Sequence, residues 1–248
     1  TKGRRPYEQI AFQFSHHIYH KDGTIEHANQ YLNSEPGKFP NFEFSRALME
    51  ALSSNNGSVF KFATHENSIV NAIIQQLEVS NELDKLNLMD FLKSISHSKE
   101  NTAGPSWVGK RDMIDLCRVI KDYYYNPYTK GSNSIKKVLP AVFEVSKVVK
   151  SKYSQPIGSI GINSKNFKPN KIWLLANADG SIIDPYKNLP KPFDEFEEDF
   201  ELISELDELT DGGAALTAYG KLQYTDLEQE ERDGISIALL RYCELDTL

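Results

Sequence analysis

The sequence predicts a mixed α/β domain, a sheet covered by helices. Three observations predict it: an N-terminal hairpin pattern, two places where a short apolar strand runs straight into a helix, and a long apolar-periodic helix at the C-terminal end. Residues 10–20 and 25–32 are rich in aromatic and β-branched types, and Asp22-Gly23 between them is a hairpin turn signal. Read as a two-residue turn, it pairs His20 with Ile25 and Ile18 with His27. His16, His20 and His27 then share one sheet face.

Asn41 is placed to cap a helix over 41–52, with Phe44, Leu48, Ala51 and Leu52 on its buried side. Asn55-Asn56-Gly57 breaks the chain before a short strand over 59–63. A helix from His65 to about Leu77 follows, with Ile69, Ala72, Ile73 and Leu77 at helical spacing. A strand leading into a helix recurs at 113–119. A loop through Asn126-Pro127 and Lys130-Gly131-Ser132 leads to a helix over 134–149. From 152 to 192 the pattern thins into Pro, Gly, Asn and Ser, with one strand expected at 172–176 and a turn at Asp179-Gly180. Phe193, Phe196, Phe200 and Ile203 make the apolar stripe of an acidic helix. Helices over 213–222 and 227–245 close the chain, and there are no internal repeats. The organisation expected is one domain over 1–248 with an insertion at about 152–210.

At 248 residues, 40% hydrophobic and 25% charged, the chain has the composition of one large globular domain. It holds no stretch near the roughly 20 apolar residues of a membrane span. The N-terminal residues lack a signal-peptide core, and Cys117 and Cys243 form no paired framework, so a reduced, cytoplasmic setting is expected. The sequence starts without Met close to a strand pattern and stops inside a helix, as a segment of a longer protein would. Net charge is -7, which argues against a surface coated in nucleic-acid-binding charge. Its distribution is uneven. Residues 110–171 hold thirteen Lys and Arg against four Asp and Glu, whereas 179–246 hold five against nineteen. A basic strip beside an acidic part suits a phosphate backbone and metal ligands, although solvated helix faces give the same asymmetry.

Tyr242 and Asp246 lie four positions apart, one turn along the same helix face. An aspartate there can hold a divalent metal while the phenol orients the water that the metal activates. Glu66 sits where the strand over 59–63 passes into a helix, the usual place for a site in α/β folds, although it also serves the helix dipole. Tyr123, Tyr124, Tyr125 and Tyr128, with Lys130, Lys136 and Lys137, interleave rings with positive charge, a pattern that suits unpaired bases on a phosphate backbone. The three hairpin histidines could hold zinc, but Ile18 and Ile25 on the same face favour packing. Asp211-Gly212-Gly213 reads as a helix start that permits close approach. No G-x-x-x-x-G-K-[ST] occurs, which argues against an NTPase.

Several of these motifs occur together in one family. Arg5-Pro6-Tyr7-Glu8-Gln9, Phe12-Gln13-Phe14-Ser15, His65-Glu66-Asn67 and Arg111-Asp112-Met113-Ile114-Asp115-Leu116 are followed by Lys130-Gly131-Ser132-Asn133-Ser134-Ile135-Lys136, Asp211-Gly212-Gly213-Ala214-Ala215 and the terminal Tyr242-Cys-Glu-Leu-Asp246-Thr-Leu. With them the chain resembles the bacterial family catalogued as domain of unknown function 2779, itself similar to RNase H-like DEDD 3′–5′ exonucleases of the tyrosine type. The resemblance implies an RNase H-like mixed sheet flanked by helices, with two Mg²⁺ or Mn²⁺ ions hydrolysing phosphodiester bonds of DNA or RNA. It implies Glu66 and Asp246 as metal ligands, Tyr242 as the water-orienting group and Asp115 as a further acid or a structural one. Tyr125, Tyr128, Lys130, Lys136 and Lys137 would then contact a single strand or a free 3′ end. It also implies an upstream RecB-like nuclease region in the parent chain.

The D-x-E of the first, central strand is not found. Its nearest mimic, Asn41-Phe42-Glu43, carries Asn and starts a helix. The 248 residues alone are therefore expected to be inactive and poorly stable, with that strand supplied by the parent. The competing reading is an RNase H-like module that binds nucleic acid or protein without catalysis.

Overall fold

The computed structural model describes residues 8–99, 106–190 and 212–248. Phe193, Phe196, Phe200 and Ile203, like Asp211 and Arg5-Pro6-Tyr7, lie outside the described residues. In chain order the elements are β1 (Gln13–Tyr19), β2 (Ile25–Leu32), α1 (Asn41–Ser53), β3 (Phe60–Lys61), α2 (His65–Glu78), α3 (Lys85–Ser94), β4 (His97–Ser98) and β5 (Trp107–Val108). They continue with β6 (Ile114–Asp115), α4 (Leu116–Tyr123), α5 (Ile135–Val145), α6 (Lys147–Tyr153), β7 (Ile162–Asn163), α7 (Gly212–Tyr224) and α8 (Gln229–Thr247). The chain is thus mixed α/β. Its short strands form a three-stranded sheet, β1-β2-β7, and two pairs, β3-β6 and β4-β5.

The chain divides into two compact units. The first takes in the residues up to Phe12, Lys38–Tyr125 and Asn133–Ile135; the second holds Gln13–Gly37, Asn126–Ser132 and Lys136–Leu248.

In the first unit α1, α2 and α3 pack together around Ile73, Ile74, Leu77, Leu88, Leu92 and Ile95, each at most 2% exposed. Truncating such a residue to Ala costs about 2–5 kcal/mol. Helix α3 lies in a stretch where periodicity predicts no helix, since only Leu88 and Leu92 of its ten residues are buried. Asn41 does not cap α1. Pro40 holds that position without a side-chain bond, and the buried Asn41 amide instead accepts from Ala11 N at 2.7 Å and donates to Gln9 O at 2.9 Å. Asn is common at caps, but here the side chain ties the backbone at Gln9 and Ala11 to α1. At the other end of α1, Arg111 donates to Leu52 O and to Gly57 O, while Asp112 holds His97 Nδ1 at 2.9 Å. The Arg111-Asp112-Met113 motif is therefore structural. Gly109 is required by proximity: a Cβ there would lie 2.3 Å from Ser94 O.

In the second unit the hairpin departs from the expected register. The loop is Lys21-Asp22-Gly23, closed by His20 N to Thr24 O at 2.9 Å, with Gly23 at φ 87, the three-residue loop with a left-handed glycine. Tyr19 pairs with Ile25, Ile18 with Glu26 and His17 with His27. One residue of slip reverses which side chains share a face, so His17 replaces His16 and His20 opposite His27. A bulge follows, and His16 then pairs with Asn29.

The expected strand over 59–63 is limited to Phe60–Lys61. The helix expected over 134–149 is split, because Ser146 leaves helical geometry and caps α6 through Val149 N. The expected strand over 172–176 is two isolated bridges, Pro156 with Ile172 and Ala176 with Ile182. The turn after it forms as read, with Gly180 at φ 82. Helices α7 and α8 pack against each other and α8 also lies on β1 and β2. Glu228 and Glu231 form a capping box at the start of α8. No helix among the described residues is long and apolar enough to cross a membrane.

Candidate functional site

In the first unit, β3 and β6 are parallel neighbours with Lys61 opposite Asp115. Alternation along Phe60-Lys61-Phe62 turns the lysine inward, leaving Phe60 57% exposed and Lys61 6%. The Lys61 ammonium lies 3.3 Å from Asp115 Oδ2 and donates to Ala63 O at 2.5 Å. Asp115 accepts from Ala63 N at 3.0 Å and from Arg118 N at 3.2 Å, capping α4. Burial alone would raise its pKa, but these N–H bonds and Lys61 outweigh it, and the carboxyl is held below its usual value. Together the two side chains pin Ala63, a non-glycine residue at φ 78. Strained backbone of this kind persists where neighbours over-determine it, and here it turns β3 into α2.

Glu66, in the first turn of α2, has a different environment. Burial pushes its pKa up, against the opposing pull of backbone N–H groups, Lys61 and His65. Its Oε2 atom is buried with no hydrogen-bond partner. The carboxylate is thus positioned but incompletely satisfied, a state that costs stability unless a cation or donor arrives.

In the second unit, Tyr242 and Asp246 occupy one face of α8, as their spacing predicts. Two phenols align the Asp246 carboxylate: Tyr186 Oη donates to Oδ1 at 2.6 Å, and Tyr242 adds a further hydrogen bond. Tyr186 comes from a turn at Pro185–Asn188 whose start Asp184 caps. The Lys136 ammonium of α5 stands 5.0 Å from the Tyr186 ring centre and 5.3 Å from that of Tyr242. Burial raises the Asp246 pKa, and Tyr186, Lys136 and Tyr242 offset only part of the rise. Burial and the neighbouring Asp246 raise the Tyr186 pKa, so the phenol stays protonated as a donor.

Tyr125 and Tyr128 are 90% and 60% exposed, and Lys130 and Lys137 are exposed as well. Lys130 adopts a left-handed conformation, φ 52, followed by Gly131 at φ 79. Tyr125 falls in the first unit and Tyr128 in the second; Glu66 and Asp115 are likewise in the first, Tyr242 and Asp246 in the second. Sequence reasoning missed Lys61, whose signal was a lysine at an inward strand position. It also missed Tyr186, which carries no signal in its Pro- and Asn-rich surroundings. A third omission is a cleft of about 580 Å³ in the second unit, lined by Lys165, Lys168, Lys171, Arg241 and Phe167, with no acidic residue on its wall among the described residues.

Fold and side chains together define a mixed α/β protein in which burial raises the pKa of two carboxylates at helix ends, Glu66 and Asp246. The chain belongs to the family described as Domain of unknown function (DUF2779), whose model matches residues 1–134. No curated protein and no solved structure matches it.

Proposed function

We propose that this chain forms the greater part of an RNase H-like, metal-dependent 3′–5′ exonuclease domain that hydrolyses phosphodiester bonds of DNA or RNA. The observation that carries this reading is Asp246, a carboxylate taken out of water yet aligned by two phenols one of which lies a turn earlier on the same helix. Glu66 is its counterpart in chemistry, with a buried oxygen atom that no donor reaches. Both fit a hard cation, which binds carboxylate oxygens and removes the cost of their burial. Asp115 fits less well, being occupied by Lys61, Ala63 N and Arg118 N. Bound at carboxylates of this kind with further acids, Mg²⁺ or Mn²⁺ would supply an activated water and charge compensation for the leaving oxygen.

The chain's own residues have separable tasks on this reading. Tyr186 and Tyr242 hold Asp246 in one orientation, and Tyr242 is the phenol available to orient water. Lys136 balances the Asp246 charge before substrate arrives and attracts a phosphate afterwards. The cleft lined by Lys165, Lys168, Lys171 and Arg241 offers a path for the backbone, with Phe167 as a stacking surface.

The test is a nuclease assay on the natural full-length protein with a labelled single strand and Mg²⁺ or Mn²⁺. Metal-dependent trimming from the 3′ end is expected, reduced at least a hundredfold in Asp246→Asn and in Glu66→Gln. Equal activity in the variants, or oligonucleotide binding without cleavage, would favour the non-catalytic interaction module instead.

A further inference from the structure

Helix α8 turns a second acidic side chain in another direction. Glu244 lies two residues from both Tyr242 and Asp246, about 200° around the helix, and its side chain is 0% exposed. Its Oε2 is 3.0 Å from His27 Nδ1 and its Oε1 4.0 Å from His17 Nε2, with the two imidazole side chains 0% and 6% exposed. The rings of His17 and His27 stack with centroids 4.6 Å apart. One ligand atom from each of the three residues lies within 4.8 Å of the others.

The proton inventory shows what is missing. Thr247 Oγ1 lies near the carbonyls of Cys243 and Glu244, 3.3 and 3.2 Å away, and gives its proton to that pair. It therefore accepts from His17 Nδ1 at 2.9 Å, which leaves His17 Nε2 as a bare lone pair. On His27, Nδ1 stands 3.0 Å from Glu244 Oε2 and 3.3 Å from the Lys165 backbone N–H, while Nε2 stands 3.0 Å from Ser15 Oγ. Two imidazoles and a carboxylate thus converge, and His17 Nε2 and Glu244 Oε1 are both buried without a hydrogen-bond partner. A buried ring nitrogen and a buried carboxylate oxygen without partners cost stability unless a cation or a donor lies between them.

We propose that His17, His27 and Glu244 bind a divalent transition-metal ion of the zinc type, at a site separate from the Asp246 face. Two neutral imidazoles and a carboxylate are a donor set that zinc takes, and donors at 2.0–2.2 Å from it stand about 3.4 Å apart. Closing the observed spacings to that value needs side-chain shifts of about 1 Å. Thr247 on His17 Nδ1 and Ser15 on His27 Nε2 are the outer partners that fix ring orientation. The ion would tie α8 to the hairpin, and it does not depend on the nuclease reading.

The experiment uses the whole chain purified without a polyhistidine tag. Metal content by mass spectrometry is measured after zinc loading and dialysis, then the visible spectrum after Co²⁺ replacement. One zinc per chain, a tetrahedral Co²⁺ spectrum and a zinc-dependent rise in Tm are expected. His17→Ala and Glu244→Gln should lose at least nine-tenths of the metal, and His16→Ala, whose ring faces Asn29 instead, should keep it. A wild-type chain that takes up no metal and shows no Tm shift would overturn the proposal in favour of a water or proton bridging the gap. So would metal retained in both His17→Ala and Glu244→Gln. If those variants fail to fold, the wild-type Co²⁺ spectrum decides: tetrahedral bands support the site and their absence overturns it.

Discussion

Removing the Tyr186 hydroxyl tests how Asp246 is held. Tyr186→Phe keeps the ring, which is 2% exposed, and deletes a 2.6 Å bond to a desolvated carboxylate. A hydrogen bond to a charged group contributes roughly 1.5–3 kcal/mol, and for a chain of this size each kcal/mol moves Tm by roughly 2–4 °C. A loss of roughly 3–12 °C is expected at neutral pH. The sign of the pH dependence follows from the same bond. Asp246 has a raised folded-state pKa, so its ionised form destabilises the fold, and losing a donor raises that pKa further. The penalty should therefore be largest above the folded-state pKa and shrink as the pH falls through it and the carboxyl protonates. The assay is thermal denaturation of wild type, Tyr186→Phe, Asp246→Asn and the double variant across pH. Additive effects of the two substitutions, or a penalty that does not change with pH, would refute the assigned bond.

Other consequences follow from the first unit. Glu66→Gln should stabilise the chain by about 0.5–1 kcal/mol at neutral pH, because it removes a half-buried charge with an unpartnered oxygen. The gain should fade on acidification as wild-type Glu66 protonates, and an unchanged Tm at all pH values would contradict the raised pKa. Ala63→Gly should stabilise by about 0.5–1 kcal/mol, since the left-handed conformation at φ 78 costs Ala about 1–2 kcal/mol and Gly recovers part of that after its own entropy cost. Chemical denaturation reads it directly, and a destabilised variant would mean the methyl group packs more than the backbone strains.

Much of the architecture was legible because periodicity reports burial. The α2 stripe through Ile73 and Leu77, the α8 face bearing Tyr242 and Asp246, and the strand-to-helix passages at Glu66 and Asp115 all appeared where spacing put them. The hairpin was legible as a hairpin but not in register. Asp22-Gly23 fits either a two-residue turn or the last two positions of a three-residue loop, and only tertiary packing selects between them. That single residue decides which histidine faces His27, so the His17–His27–Glu244 cluster could not be read from the sequence. Tyr186 was invisible for another reason: it reaches Asp246 from a segment with no periodic structure, and a contact sixty residues apart leaves no local trace. Lys61 was visible in principle, as a charged residue at an inward strand position.

If Glu66 and Asp246 are cation ligands, as proposed, the full-length protein binds Mn²⁺ through them. Calorimetry or electron paramagnetic resonance titration should show Mn²⁺ bound by the wild type, with affinity lowered at least tenfold in Glu66→Gln and again in Asp246→Asn, while each variant remains folded. Undiminished Mn²⁺ affinity in both folded variants would show that neither carboxylate is a ligand.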